Sequence, residues 1–472
     1  MSPNSFAFVA LLSWPLVALW LYSTRPVELA TIWTILGAYL LLPVGAAIQL
    51  EGFPPLNKVS IPNLAALLGC VLIARGLPRI WHRFGLAEIL ILMLLGGAFL
   101  TSVFNTQSAV VGARVLPGLS YYDGVSAAFT QFINIIPFIL ARQFLRSPAD
   151  TANILRILVI VGLIYSLLIL FEVRMSPQLH TWIYGYFPHS FLQQERDGGF
   201  RPVVFLGHGL IVALFTMTTA VAAAALWRTN TPVLRLPTGG ITAYLGAVLV
   251  LCKSLASLVY GAALVPLVRL ASPKLQVRVA VVLVSIALAY PTLRSMDLVP
   301  TTMMTDIAGG VSAERSRSLQ SRFLNEEMLL RHASERIWFG WGRWGRNRVY
   351  DERSGEDLST TDGRWIVTLG IYGFVGFAAE FGLLSFAVFC ASSSLRFVDN
   401  FRDKIYLAAL TLIVAISVVD LLPNGFLSPW TWLLAGGLLG RAEALRSARR
   451  LASRLPVDYV KPGLTGARLH SK

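Results

Sequence analysis

The chain has 472 residues, of which 55% are hydrophobic and 14% charged, and its formal net charge is +15. Soluble domains usually carry about 25% charged residues, so this composition and a mean hydropathy of +0.63 exclude an ordinary soluble fold. Several apolar runs approach the ~20 residues that cross a ~30 Å hydrocarbon core. The alternating pattern of a membrane barrel is absent. The sequence therefore predicts an all-α, polytopic membrane protein embedded in a lipid bilayer.

In chain order, about 12 or 13 apolar runs are candidate transmembrane helices. Their cores are residues 5–22, 29–50, 60–74, 85–104, 123–145, 151–173, 203–227, 238–252, 255–270, 276–292, 364–395, 403–422 and 427–440. The pair at 238–252 and 255–270 is short. A 12-span count, with one of these two segments re-entrant or merged, is therefore the alternative to 13 spans.

Basic residues concentrate in five short loops and in the C-terminal tail, and a 13-span count puts all six groups on one side of the membrane. The positive-inside rule makes that side the cytoplasm, which places the N-terminus and two longer loops outside. This pattern accounts for the positive charge without a nucleic-acid partner. The groups are Arg75, Arg79 and Arg83; Arg142 and Arg146; Arg228 and Arg235; Arg269, Lys274 and Arg278; Arg396, Arg402 and Lys404; and the basic residues of 441–472.

The chain is predicted to divide into four regions. They are N-terminal transmembrane helices (1–292) with a short outer loop at 174–202, a large outer loop (293–363), C-terminal transmembrane helices (364–440) and a basic cytoplasmic tail (441–472). Within the large loop, Ala313 to Ser334 contains no Gly or Pro and predicts a helix. The three cysteines have neither metal nor disulfide spacing and are expected to be core residues.

Four groups of polar residues are expected on the outer side, where they could converge. Arg forks bind phosphate oxygens in pairs, and a Lys ammonium adds a point charge. Such cations could stabilise a diphosphate leaving group, and a nearby carboxylate could accept the proton of an attacking hydroxyl, so no metal or cofactor is expected. The groups are Arg196 and Arg201 in the 195–202 segment, Lys253 beside Ser254, the loop-helix residues Arg315, Arg317 and Arg322, and Asp362.

The segment that follows Arg322, ending in Glu335-Arg336-Ile337-Trp338-Phe339-Gly340-Trp341-Gly342, resembles the C-terminal signature of the O-antigen ligase and O-antigen polymerase superfamily. In that signature an Arg on an outer-loop helix precedes a Pro-apolar-apolar-Gly-x-Gly turn, and a His-Asn segment opens the next span. Here Ile337 stands where the Pro is expected. Asp362 and the residues after it stand where the His-Asn is expected.

Three further features follow the order of the family. The 369–376 segment resembles its glycine-marked span, and the 196–207 segment resembles the Arg-x-x-Gly-x-Phe entry to a mid-chain span, without the family's Pro-Asn. Lys253-Ser254 lies where the family often has a Ser-Arg pair. The resemblance covers about residues 150–440 and is strongest from 315 to 376.

Members of this family are metal-independent glycosyltransferases of the bacterial inner membrane. They transfer a glycan from an undecaprenyl diphosphate donor to an acceptor hydroxyl on the periplasmic side. The resemblance thus implies an inverting transfer in envelope polysaccharide synthesis, of O-antigen or exopolysaccharide, with a cytoplasmic C-terminus. A chain-length regulator is a conceivable partner. The implied catalytic residues are Arg322 and Asp362, and the implied diphosphate contacts are Arg322, Lys253, Arg196, Arg201 and Arg315.

Each candidate also has a purely structural interpretation. Arg322 could pair with Glu326 one helical turn away, and Asp362 could cap the helix that follows it. Lys253, Arg196 and Arg201 could be interfacial anchors.

Trp338, Trp341 and Trp344 are spaced by three with glycines between them, which predicts a turn. They could contact the glycan or belong to an interfacial aromatic belt.

Three classes of function stay open from the sequence. A polymerase is favoured over a ligase that uses lipid A–core, because the family's His is absent. A transporter or flippase would need ionisable residues near the bilayer midplane, and the candidates are Glu172, His208, Glu380 and Asp420. His208 is expected to be neutral and hydrogen-bonded inside a span. A scaffold subunit is the third class.

Overall fold

A computed structural model describes residues 2–51, 53–74, 84–196 and 198–453, except for the side chains of residues 196, 311, 314 and 452. The described part is all-α, with 16 α-helices and three two-stranded hairpins. The helices are α1 (Ser5–Thr24), α2 (Val27–Leu41), α3 (Ser60–Leu72), α4 (Leu86–Val103), α5 (Tyr121–Phe144), α6 (Pro148–Met175), α7 (Leu179–Tyr184), α8 (Gly209–Arg228), α9 (Thr238–Leu251), α10 (Leu255–Leu270), α11 (Pro273–Ser295), α12 (Thr301–Val311), α13 (Ala313–Ser334), α14 (Arg364–Ser394), α15 (Phe401–Asp420) and α16 (Pro429–Ala452). The hairpins pair β1 (Ala47–Ile48) with β2 (Leu56–Asn57), β3 (Ala109–Val111) with β4 (Arg114–Leu116), and β5 (Glu195–Arg196) with β6 (Gly199–Phe200).

Seven helices of the described chain are long and apolar enough to cross a membrane, namely α1, α4, α5, α6, α8, α11 and α14. Four shorter apolar helices, α2, α3, α9 and α10, accompany them. The protein is therefore a multi-pass helical membrane protein, which confirms the predicted fold class. Each of the thirteen predicted apolar segments contains one of these eleven helices or α15 or α16.

Three predicted boundaries were wrong. Helix α2 ends at Leu41 rather than near residue 50, because Pro43 disfavours the helical conformation in the residue before it. Helix α8 begins at Gly209 rather than Val203. Helix α16 continues to Ala452 through residues assigned to the tail. The rest of that tail, 454–472, and the basic loop with Arg75, Arg79 and Arg83 lie outside the described residues.

Small residues allow the central helices to pack closely. The four alanines Ala222–Ala225 of α8 are fully buried. A Cβ at Gly436 of α16 would lie 2.2 Å from the Phe138 carbonyl oxygen of α5, and one at Gly440 would lie 2.4 Å from the Arg142 carbonyl oxygen. Without side chains at these points the backbones of α16 and α5 come into direct contact, as is common between membrane helices.

The buried carboxylate of Glu172, near the end of α6, is held by backbone amides. It accepts hydrogen bonds from the amides of Leu179 at 3.0 Å and of Val203 and Val204 at 2.7 Å each. The carboxylate thereby fixes the chain entering α8 to the end of α6. Three hydrogen bonds to one ionised group compensate for its removal from water.

Helix α14 is broken at Gly373, whose backbone has φ 66° and ψ −166°. Across the break, Arg364 donates to both carboxylate oxygens of Glu380, at 2.8 and 2.5 Å, and Thr368 donates at 2.8 Å. The backbone groups released by the break pair with the 337–342 segment. These bonds run from Phe374 N to Ile337 O (2.6 Å), Val375 N to Trp338 O (3.1 Å), Trp341 N to Gly370 O (2.8 Å) and Gly342 N to Ile371 O (2.9 Å).

The polar segment between α11 and α14 contains the helix predicted from the sequence, since α13 spans Ala313–Ser334. The Ser312 hydroxyl caps it by accepting a hydrogen bond from the Arg315 amide at 3.2 Å. The shorter helix α12 precedes it and was not predicted. The 337–342 turn follows α13 directly, so the hydrogen bonds to α14 anchor the C-terminal end of this helix.

Candidate functional site

Arg322 and Asp362 meet at the edge of a cavity of about 210 Å³, which α11, α13, the start of α14 and the turn after α15 enclose. The Arg322 Nε lies 3.6 Å from the Asp362 Oδ2, and its Nη1 donates to the Pro423 carbonyl at 3.0 Å. The Arg322 side chain is 31% exposed and that of Asp362 is 40% exposed. The two residues predicted to be catalytic, 40 positions apart in sequence, thus form one ion pair open to solvent.

The structural interpretations of these two residues were wrong. Arg322 pairs with Asp362 rather than with Glu326, the alternative partner, and the Glu326 carboxylate faces α11. Asp362 does not cap α14, because the N-cap residue is Gly363 and no side-chain bond caps the helix. Neither residue is therefore accounted for by local helix stability.

Glu326 is a further carboxylate of the same cavity, and it is buried. Its Oε2 accepts a hydrogen bond from the Tyr290 hydroxyl at 3.0 Å and lies 3.8 Å from the Arg294 Nε. Burial raises the pKa of Glu326 above its ordinary value, and hydrogen bonding and the charges of Arg294 and Arg322 only partly oppose that effect. Sequence reasoning assigned Glu326 only as a helix-surface partner of Arg322.

Arg201 and Lys253 form a second group. The Arg201 Nε donates to the Lys253 carbonyl at 3.1 Å. Lys253 has a left-handed backbone, with φ 51°, in the short break between α9 and α10. Its ammonium lies over Gly199, where an added Cβ would be 2.6 Å from Nζ. The structure thus brings together two of the predicted diphosphate contacts. The side chain of a third, Arg196, lies outside the described residues.

His208 lies between the Arg201 and Arg322 groups. It was expected inside a span but is the N-cap of α8, where its Nδ1 accepts a hydrogen bond from the Leu210 amide at 3.1 Å. Burial lowers its pKa to about 4, and the charges of His189, Arg201 and Arg322 act in the same direction. His208 is therefore neutral near pH 7, as expected. Because both guanidinium charges act on one imidazole, Arg201 and Arg322 face a common region.

Gln194 adds an unused hydrogen-bond donor to this region. Its side chain is fully buried, and its Oε1 accepts a hydrogen bond from the Gly209 amide at 3.3 Å. Its Nε2 has no hydrogen-bond partner among the described residues. A buried amide left without a partner costs about 1–3 kcal/mol, which a bound acceptor would recover. The adjacent N-terminus of α8 and the cation of Arg201 make this region favourable for an anion.

The remaining candidates lie elsewhere. Arg315 is on α13, seven positions before Arg322. Trp341 is half-buried and contacts both His332 and Arg336, each 4.4 Å from its ring. Trp338 is 64% and Trp344 62% exposed, the latter donating to Asp123. The three Trp residues thus have different surroundings.

An apolar cavity of about 430 Å³ borders the same region, between the ends of α2 and α8, the start of α3 and the turn before α16. Phe426 lines this cavity and packs against His208, with ring centroids 5.3 Å apart. Lys58, whose pKa burial lowers to about 7, donates to the Phe205 carbonyl at its wall. The apolar cavity thus lies beside the region that Arg201 and Arg322 face.

No protein-family model matches the chain, and no curated protein matches it significantly.

Proposed function

We propose that the protein transfers or polymerises a glycan linked to undecaprenyl diphosphate, at the periplasmic face of the bacterial inner membrane. The observation that carries this proposal is the Arg322–Asp362 ion pair, in the same region as Arg201 and the unused Gln194 donor. It joins a phosphate-binding guanidinium to a carboxylate, the combination that displacement of a diphosphate by a hydroxyl requires. The order of motifs seen in the sequence supports the same class of reaction.

In the proposed reaction the acceptor hydroxyl loses its proton to a carboxylate, and its oxygen attacks the anomeric carbon of the donor sugar. The bond from that carbon to the diphosphate oxygen breaks, and the diphosphate leaves with the electron pair. Arg322, Arg201 and Lys253 stabilise the negative charge that develops on the diphosphate. Electrostatic stabilisation of this kind is usually the largest single contribution to catalysis. In the assignment made from the sequence, the carboxylate is Asp362. In-line displacement inverts the anomeric configuration.

Membrane placement is consistent with a lipid-linked donor. The basic loops and tail would lie in the cytoplasm under the positive-inside rule, so the region of Arg322 would face the periplasm. The apolar cavity beside His208 offers space to a lipid chain whose headgroup sits at the cations. A polymerase is favoured over a ligase, because the aspartate in place of the family's histidine departs from the ligase pattern.

A transporter is less well supported. Transport through the bilayer needs ionisable groups that can exchange partners near the midplane. Glu172 is held by three backbone amides and Glu380 by Arg364 and Thr368, so both have fixed structural partners. Gln194, whose Nε2 has no hydrogen-bond partner among the described residues, lies instead in the segment before α8.

The envelope glycans of a deletion strain, profiled by gel and mass spectrometry, test the proposal. We expect single repeat units on the lipid carrier or on lipid A, and restoration of long chains by the wild-type gene. Full-length chains stranded on the carrier would identify a ligase instead. An unchanged profile would contradict both activities and favour the transporter.

Asp362→Asn is expected to lower glycan product about 100-fold or more at equal protein level, the lower end of the range for loss of a positioned proton acceptor. Complementation of the deletion strain with this variant, measured by the same profile, checks the result. Wild-type product from Asp362→Asn would show that the carboxylate has no role in the reaction.

A further inference from the structure

Two carboxyl groups line the cavity at Arg322, and their surroundings differ. Asp362 lies at the solvent-exposed edge and is engaged in its ion pair with Arg322. Glu326 lies one turn along α13 from Arg322, with its side chain 11% exposed. The cavity therefore presents one exposed, paired carboxylate and one desolvated carboxyl group.

The groups facing Glu326 come from three elements. From α11, the Tyr290 hydroxyl donates to its Oε2, and Arg294 lies 3.8 Å away. Arg294 also donates to the Phe323 carbonyl at 3.2 Å and lies 3.3 Å from the exposed Asp297, so its charge is shared. From α13 comes Arg322, and Asp362 precedes α14 on the wall of the same cavity. Glu326 is thus oriented by one hydrogen bond, from Tyr290, and by a longer ion pair with Arg294, whose charge is shared with Asp297.

We infer that Glu326 is the group that accepts the proton of the acceptor hydroxyl, while Asp362 positions Arg322 against the leaving diphosphate. This inference rests on the proposed glycosyl transfer. The O–H bond of the acceptor breaks as its proton passes to the Glu326 carboxylate, its oxygen bonds to the anomeric carbon, and the diphosphate departs with the electrons of the broken C–O bond. Each proton and electron pair is accounted for within the two substrates and this chain.

Burial raises the pKa of Glu326, which is the direction that this role requires. A proton acceptor is most effective when its pKa lies near the working pH, and desolvation raises a glutamate from about 4.3 toward that range. The transfer rate must fall as the pH drops through the pKa of Glu326, because the protonated form cannot accept a proton. The Tyr290 hydrogen bond favours the ionised form, so its removal moves this fall to higher pH.

The experiment uses carrier-linked glycan extracted from the deletion strain and purified full-length variants in proteoliposomes, with product measured from pH 5 to 9. We expect Glu326→Gln to lower the rate about 100-fold and to abolish the acid-side fall. Asp362→Asn is expected to lower the rate but keep that fall. Tyr290→Phe is expected to keep most activity and move the fall to higher pH.

Glu327→Gln is the matched control, because Glu327 is adjacent, exposed and paired only along the helix surface with Arg331 at 2.7 Å. It should leave both rate and pH profile unchanged. Glu326→Asp keeps a carboxylate and should restore the acid-side fall, and thermal unfolding of each variant shows that it is folded. These two variants separate a chemical role of Glu326 from a packing role.

The inference is overturned if Glu326→Gln keeps the wild-type profile, if Asp362→Asn alone removes the acid-side fall, or if Tyr290→Phe leaves that fall in place. The pH profile of Tyr290→Phe tests the role of Glu326 even when Glu326→Gln does not fold. Failure of the underlying function looks different, because then the wild-type protein forms no product from the extracted glycan.

Discussion

Replacing Arg322 with alanine is expected to lower glycan product by about 100-fold or more, the typical loss when one donor to a developing oxyanion is removed. Arg322 is the one residue that contacts both the Pro423 carbonyl and the Asp362 carboxylate in this cavity of the described chain. Arg322→Lys should not restore activity, because an ammonium cannot reproduce a planar fork with several donors. Glycan profiles of complemented deletion cells, at matched protein levels, measure the loss.

Arg331→Ala is the control for this prediction. Arg331 lies on the same helix with its side chain 81% exposed, so its removal deletes an equal charge away from the cavity. Its surface pair contributes only a few tenths of a kcal/mol, and product should stay at the wild-type level. Equal losses in the two variants would mean that only the net charge of α13 matters.

Gly373→Ala is expected to destabilise the protein by about 2–6 kcal/mol, the sum of backbone strain and overpacking. At φ 66° and ψ −166°, Gly373 occupies a region that residues with a Cβ essentially never adopt. An added Cβ would also lie 2.3 Å from the backbone of Trp338. The midpoint of thermal unfolding in detergent and the amount of protein in the membrane report the effect.

Gly96→Ala makes the same chemical change in α4, where a Cβ would meet no atom within 4 Å. It should leave the unfolding midpoint unchanged or slightly higher, since alanine favours a helix by about 1 kcal/mol over glycine. If Gly373→Ala were as stable as Gly96→Ala, the break in α14 would not depend on glycine.

The sequence was sufficient for the membrane helices and α13, but not for α7 and α12, and it identified one half of the candidate site, Arg322 and Asp362. Apolar runs identify helices because lipid leaves the backbone no other way to satisfy its hydrogen bonds. Helix α13 was predicted residue for residue, since 313–334 has no Gly or Pro and Ser312 precedes it. The errors at α2 and α8 arose because the residues flanking these helices are also apolar. Helix α2 ends before Pro43, and Gly207, with φ 88°, lies before the start of α8.

The other half of the site depends on contacts that no local pattern encodes. Glu326 takes its character from Tyr290, 36 positions earlier, and Gln194 from Gly209, 15 positions later. Burial, rather than residue type or spacing, distinguishes both side chains from ordinary polar residues.

The hydrogen bonds between the 337–342 turn and the break in α14 have a consequence for how substrates reach the site. They attach the C-terminal end of α13 to a membrane helix through four main-chain bonds, so this part of the polar segment cannot lift away as a lid without disrupting α14. The opposite end, α12 with the first turns of α13, has no comparable attachment to the membrane helices among the described residues. A substrate that is too large for the 210 Å³ cavity would therefore enter laterally from the membrane surface, displacing α12, while the Arg322 end stays in place.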